Sequence, residues 1–185
     1  MYSFLFAYIM KHIQFKDHPE FKPNLSPEQM FEIGIMGGSY FRPITSPKTK
    51  KKYSKEYEKH DFLKKVDFNK YANDKYDKSI NKYGVKVGTS YDFWMNKGWI
   101  NEEIDPYGWI QWYCHFWQGR RTNDDERQIK RWINIVGENG RFRRQLQNKI
   151  NEIGKNDLNI WKGMRQTLLH WAFDTRYMSV EKKKK

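Results

Sequence analysis

The sequence predicts a mostly α, compact multi-helix domain with a tryptophan-rich central helix. Three observations lead there. Between Asp105 and Ile153, apolar residues recur at helical spacing in three successive stretches, each closed by a glycine. Three of the eight tryptophans (Trp109, Trp112, Trp117) fall within nine positions, and aromatics make up 17% of the chain, enough to build a core despite a mean hydropathy of −1.01. A length of 185 residues suits one domain, or one domain with an arm.

Residues 1–25 read as an N-terminal docking segment. The opening YSFLFAYIM is too short to span a bilayer and lacks both the basic lead and the cleavage site of a signal peptide, so no membrane partner is expected. The domain itself runs over 26–176. Ser26-Pro27-Glu28 is a helix start: a hydroxyl cap, proline at the first helical position and an acid in the first turn. Gly37-Gly38 is expected to end that helix, and Arg42 follows beside Tyr40 and Phe41. The Gly-Gly turn reads as a helix stop among packing residues, with close approach to a ligand as the alternative.

Residues 42–86 form a basic arm, with 14 basic against six acidic side chains and the run KTKKK at 48–52. Tyr53, Tyr57, Phe62, Val66, Phe68 and Tyr71 would anchor it to the core. Helices over 54–65 and 68–77 are expected, then a short β element near 83–87 and a helix from Tyr91 to Lys97 closed by Gly98. Asp105-Pro106 should start the central helix, which stops at Gly119. Asn123 or Asp124 should cap the next one, with Asp125 and Glu126 in its first turn. A third helix runs over about 141–153 and a last one over about 157–176. Residues 177–185 end in four lysines and read as a disordered tail.

The charge pattern points to a polyanionic partner. Lys plus Arg is 35 and Asp plus Glu is 22, a net charge of +13. Codon bias toward AT-rich DNA can account for much of the lysine. The arginines are different: residues 120–144 hold seven Arg and one Lys, and the rest of the chain holds three Arg and 24 Lys. A planar fork that binds phosphate bidentately is a reason to need arginine. The predicted nucleic-acid contacts are therefore Arg120, Arg121, Arg127, Lys130, Arg131, Arg141, Arg143 and Arg144, with Arg42 nearby, and DNA is expected ahead of RNA. Repair, modification or packaging of DNA would use such a surface.

Two alternatives use the same residues. Asp124, Asp125 or Glu126 could carry the chemistry of a nuclease or glycosylase-type enzyme. Or the acids could pair with the arginines in an internal lattice, as in a structural or scaffold protein. The tryptophans are expected in the core, with an exposed one as the informative exception. Cys114 stands alone, which excludes an internal disulfide and a thiolate zinc cage and suits an intracellular protein. His115 and His170 sit among aromatics as core histidines, and no histidine spacing suggests a metal. No phosphate-binding or dinucleotide fingerprint is present, so no cofactor is expected.

The segments GGSYFRPI (37–44), GWI (98–100), DPYGWIQWYCHFWQGRR (105–121), DDERQIKRW (124–132), GRFRRQLQNKI (140–150) and RQTLLHW (165–171) carry a resemblance. The chain resembles a functionally uncharacterised family that occurs in fungi, plants, algae, protists and large DNA viruses of eukaryotes. The similarity spans about residues 26–172. It implies a shared fold and a surface that includes the GGSYFRP turn and the GRR/DDER segment, and it brings no activity. With the Lys/Asn/Tyr-rich composition it implies a viral or protist source, hence the host nucleus or cytoplasm, or the virion, as location.

Overall fold

The central helix α3 (Trp109–Trp117) is buried along nearly its whole length, as a sequence apolar all round requires. The structure, a computed structural model, describes residues 12–181. Trp112, Tyr113 and Cys114 are completely enclosed, and burial raises the Cys114 thiol pKa well above its usual range. Phe21 reaches α3 from the segment before it and meets the rings of Trp109, Trp112, Tyr113 and Phe116. The Tyr113 hydroxyl donates to the Leu25 carbonyl at 2.7 Å. Phe21 and Leu25 thus pack against α3, and the first eleven residues of the predicted docking segment lie outside the described ones.

Asp105 does not cap α3. The helix begins after Gly108, and the Asp105 carboxylate is held by His115 and Arg120 instead, which leaves it no reach to the helix amides. Helix α4 (Asp125–Val136) then buries Ile129, Trp132 and Val136, and α5 (Arg141–Ile153) buries Leu146 and Ile150. The two helices meet through the tight 137–140 turn. A Cβ on Gly140 would lie 2.5 Å from the Val136 amide nitrogen, so the turn closes only with glycine there.

Helix α6 (Lys162–Leu169) is shorter than the 157–176 expected. The reason is Arg165. Its buried guanidinium donates to the Ile160 and Asp157 carbonyls, Asn156 Oδ1 and Thr175 Oγ1 at 2.8–3.0 Å, and so folds the flanking backbone around itself as loop. After it, Met178 is buried, the Ser179 carbonyl accepts from Gln147 and the Glu181 amide donates to Asn151. The tail expected to be disordered from 177 is therefore held along α5 through residue 181, and the four terminal lysines lie outside the described residues.

Before α3, helix α1 (Pro27–Ile33) has the predicted Ser26 cap, completed by Gln29 into a capping box. It ends at Gly34 rather than at Gly37-Gly38. Gly34 has φ of 102°, and a Cβ there would stand 2.0 Å from the Ile80 carbonyl oxygen. Gly37 and Gly38 are also left-handed and buried: the ring of Tyr76 covers the first, and the Asn69 carbonyl oxygen lies 2.1 Å from a Cβ placed on the second. These glycines admit another part of the chain, not a ligand.

That other part is the basic arm. It holds no α-helix over 54–77. Short 3-10 turns at Glu56–Lys59, Asp61–Lys65, Phe68–Lys70 and Lys78–Ile80 replace the expected helices. The arm spends its backbone hydrogen bonds on the glycine segment: Asn73, Asp77 and Lys82 amides donate to the carbonyls of Gly38, Gly37 and Gly34. The β element is also elsewhere. Strand β1 (Ile44–Thr45) pairs antiparallel with β2 (Lys52–Tyr53), Ile44 facing Tyr53, whereas 83–87 is irregular because the Tyr83 amide is claimed by Gln166. Helix α2 (Tyr91–Asn96), capped by Ser90, completes the domain. Among the described residues no helix is long and apolar enough to cross a membrane.

Candidate functional site

Three of the predicted arginines are taken by acids. Arg120 grips the buried Asp105 with both terminal nitrogens, and His115 Nδ1 lies 2.8 Å from the same carboxylate. Arg121 bonds Asp17 at 2.5 Å and lies 3.7 Å over the Phe116 ring; its hydrogen bond holds the Asp17 carboxyl below the usual range. Arg127 forms a fork with Asp124 at 2.5 and 2.8 Å.

The others form no ion pair among the described residues, although the charge of Asp124 acts on Arg131 and those of Glu138 and Glu181 act on Arg143. Arg131 donates to the Trp99 carbonyl at 2.9 Å and to Gln128 Oε1 at 2.8 Å, with the Trp171 ring at 5.4 Å. Burial, then the neighbouring Arg127, lower its pKa to about 10, so it stays charged at neutral pH. Arg141 is exposed over the Phe142 ring, and Arg143 is half-buried against Phe173, which lowers its pKa from the usual value. Arg144 is exposed beside Asn139, and Lys130 is exposed on α4. Arg42 donates to the Ser39 carbonyl at 3.1 Å.

The acid run 124–126 is committed to structure at two of its three positions. Both Asp124 oxygens face Arg127, and one also accepts from Gln128. Asp125 accepts from the Trp112 indole at 2.8 Å and from the Thr122 amide and hydroxyl, which ties the start of α4 to α3. Glu126 points to solvent. Among the described residues no group of three or more His, Cys, Asp or Glu is placed to hold a metal ion.

The tryptophans divide. Trp112, Trp132 and Trp109 are core residues, while Trp99, Trp117 and Trp161 are 43%, 39% and 43% exposed. Four of the eight, Trp94, Trp99, Trp109 and Trp171, line one cavity of about 490 Å³, joined by Tyr107 and Phe142. Each wall has a local cause. Trp94 comes from α2, and Trp99 follows the left-handed Gly98. Trp109 is the first residue of α3, and Trp171 lies just past α6. Arg131 and Asn134 are one turn apart on α4, and Arg141 opens α5. The charged lining residues are these two arginines, with no Asp or Glu.

His170 also lines the cavity. Its Nε2 accepts from the Met36 amide at 3.4 Å, which assigns the proton to Nδ1. Burial lowers its pKa to about 4, so it is a neutral donor at physiological pH. The Trp109 indole N–H is fully enclosed and has no hydrogen-bond partner among the described residues. An adjoining cavity of about 330 Å³ shares Tyr40, Trp94 and Tyr107 with the first and adds Arg42 and Lys86, along with Asp74.

Nothing in the local sequence pattern assigned Trp94, Trp99, His170 and Trp171 to one place. The nearest signal was the set of resembling segments. All six contribute to the cavity: Tyr40, Trp99, Trp109, Arg131, Arg141 and His170 stand in them in chain order. No family model, curated protein or solved structure matches the chain.

Proposed function

We propose that the protein binds nucleic acid through phosphate contacts made by Lys130, Arg131, Arg141 and Arg144, with Arg42 extending the surface. The observation that carries this reading is that, among the described residues, Arg131 and Arg141 have no carboxylate in ion-pair contact and flank an aromatic cavity whose lining holds no acid. A half-buried cation such as Arg131, with no acid in direct contact, gains from a ligand phosphate that bonds it. Lys130 and Arg144 add exposed charge on α4 and α5. For Arg120, Arg121 and Arg127 the ion pairs favour the internal lattice instead, and no catalytic residue is assigned.

Fluorescence anisotropy against duplex DNA, single-stranded DNA and RNA over a range of salt tests the reading. Binding should fall steeply with salt, and Lys130→Glu with Arg141→Glu should weaken it and flatten the salt slope by about one unit per lost phosphate contact. No binding at low salt, or an unchanged slope in the folded double variant, would reject it.

A further inference from the structure

Resting on the nucleic-acid reading, we infer that the cavity walled by Trp94, Trp99, Trp109 and Trp171 receives one unpaired nucleobase, with flanking phosphates at Arg131/Arg141 and at Arg42/Lys86. At about 490 Å³ the cavity is within the range of small-ligand sites, which run from roughly 300 to 1,000 Å³. It holds a base and its sugar but not a base pair with its backbones.

The lining selects for a planar, acceptor-rich, anionic guest. Tryptophan faces stack on flat π systems, and every base offers one. A tryptophan cage also suits a quaternary ammonium ion, but here the charged lining groups are two guanidiniums and no acid, which repels a cation. The polar lining adds His170, the hydroxyls of Thr89 and Thr167, and the Asn134 amide, which both donates and accepts. Carbonyl oxygens and ring nitrogens of a base edge complement them.

The adjoining cavity gives the chain a path. Trp94 and Tyr107 line both cavities, so a strand with its base in the larger can run past them. Arg42 and Lys86 then meet the next phosphate, and Asp74 is the one acid in that path. A regular duplex cannot use this arrangement unless a base leaves the stack. A bulge, a mismatch or a single strand already has one free.

The test uses the full chain and three hairpin oligonucleotides that differ at one position: fully paired, with a single bulged 2-aminopurine, and with an abasic site at the bulge. The bulged base should bind roughly tenfold or more tighter than the other two, the scale of one base–aromatic stack, and its emission should be quenched by tryptophan. Trp99→Ala removes an exposed wall, and Asn134→Trp, at an exposed position on α4, fills the cavity without removing one. Both variants should erase the preference for the bulged base over the paired and abasic hairpins. Equal, salt-steep affinity for all three oligonucleotides would overturn the base site while the phosphate reading stands. Absence of binding to any of them at low salt would overturn both.

Discussion

Replacing Asp105 with Asn should destabilise the protein far more than the same change at Asp17, although each aspartate pairs with one of two adjacent arginines. The Asp105 side chain is 1% exposed and holds both Arg120 and His115, whereas Asp17 is 49% exposed and holds Arg121. In Asp105→Asn the Arg120 guanidinium loses its counter-charge, and its Nε, already buried without a partner, gains none. Removing one member of a buried pair costs about 3–5 kcal/mol. The Arg120 side chain keeps 29% exposure and can recruit water, which places the loss near the lower end, about 3 kcal/mol. For a chain of this size each kcal/mol moves the midpoint by roughly 2–4 °C, so Tm should fall by about 6–12 °C. The Asp17–Arg121 pair is solvent-exposed and screened by water, so its loss should hardly change stability. Urea titration and calorimetry of the two variants against the parent measure the difference. An Asp105→Asn variant within about 0.5 kcal/mol of the parent, or no worse than Asp17→Asn, would refute the claim that Arg120 is structural and return it to the phosphate-binding set.

Three further outcomes are expected. Gly38→Ala should cost about 2–3 kcal/mol in urea unfolding, because a left-handed residue gains a Cβ 2.1 Å from the Asn69 carbonyl oxygen; limited proteolysis within 42–86 should speed up. At Gly84, where φ is also positive but nothing lies near, Ala should cost only about 1 kcal/mol. Arg165→Lys should lose about 2–4 kcal/mol in thermal unfolding, since an ammonium group cannot reproduce four bonds in separate directions and leaves buried acceptors empty. Acid should weaken the fold through His60 and His170, whose pKa values burial lowers to about 4. The unfolded chain protonates them near 6.5, so it binds more protons between pH 6.5 and 4; the stability is complete above that window and is lost on descending through it, by up to about 3 kcal/mol per histidine. In His60→Gln the pH slope of the unfolding free energy over that window should drop by up to about 1.4 kcal/mol per pH unit; an unchanged slope would count against the buried neutral histidine.

The helices bounded by local signals were legible from sequence. Helix α5 spans Arg141–Ile153 between two glycines, as its periodicity requires, and α1 begins at the Ser26 cap. The arm was misleading because its aromatics fall near helical spacing, yet its amides are satisfied by carbonyls of Gly34, Gly37 and Gly38, a tertiary choice that no local window contains. The same limit applies to charge. Sequence shows that Arg121 can pair with the acids beside it; that it pairs with Asp17, 104 residues earlier, depends on where the 12–25 segment docks. Helical spacing correctly sent Trp112 to the core. It could not bring Trp94, Trp99 and Trp171 together, since they come from α2, from the loop after Gly98 and from the residues past α6.

The two fates of the arginines are linked at Trp99. Its carbonyl accepts from Arg131 at 2.9 Å and, more weakly, from Arg127 at 3.4 Å, so the rim of the cavity is pinned to α4 by both guanidiniums. Asp124 pairs directly with Arg127, and its charge reaches Arg131 only without contact, so Arg131 is the member of that pair with no carboxylate bonded to it among the described residues. Charge repulsion from Arg127 is one of the causes that lower the Arg131 pKa, and a phosphate beside Arg131 would relieve it. The Asp124–Arg127 pair therefore does more than close a helix turn. It helps Arg131 hold the Trp99 carbonyl and leaves Arg131 with no acid in direct contact. On this account Asp124→Asn would loosen Trp99 and weaken binding of a bulged base more than binding of a paired hairpin.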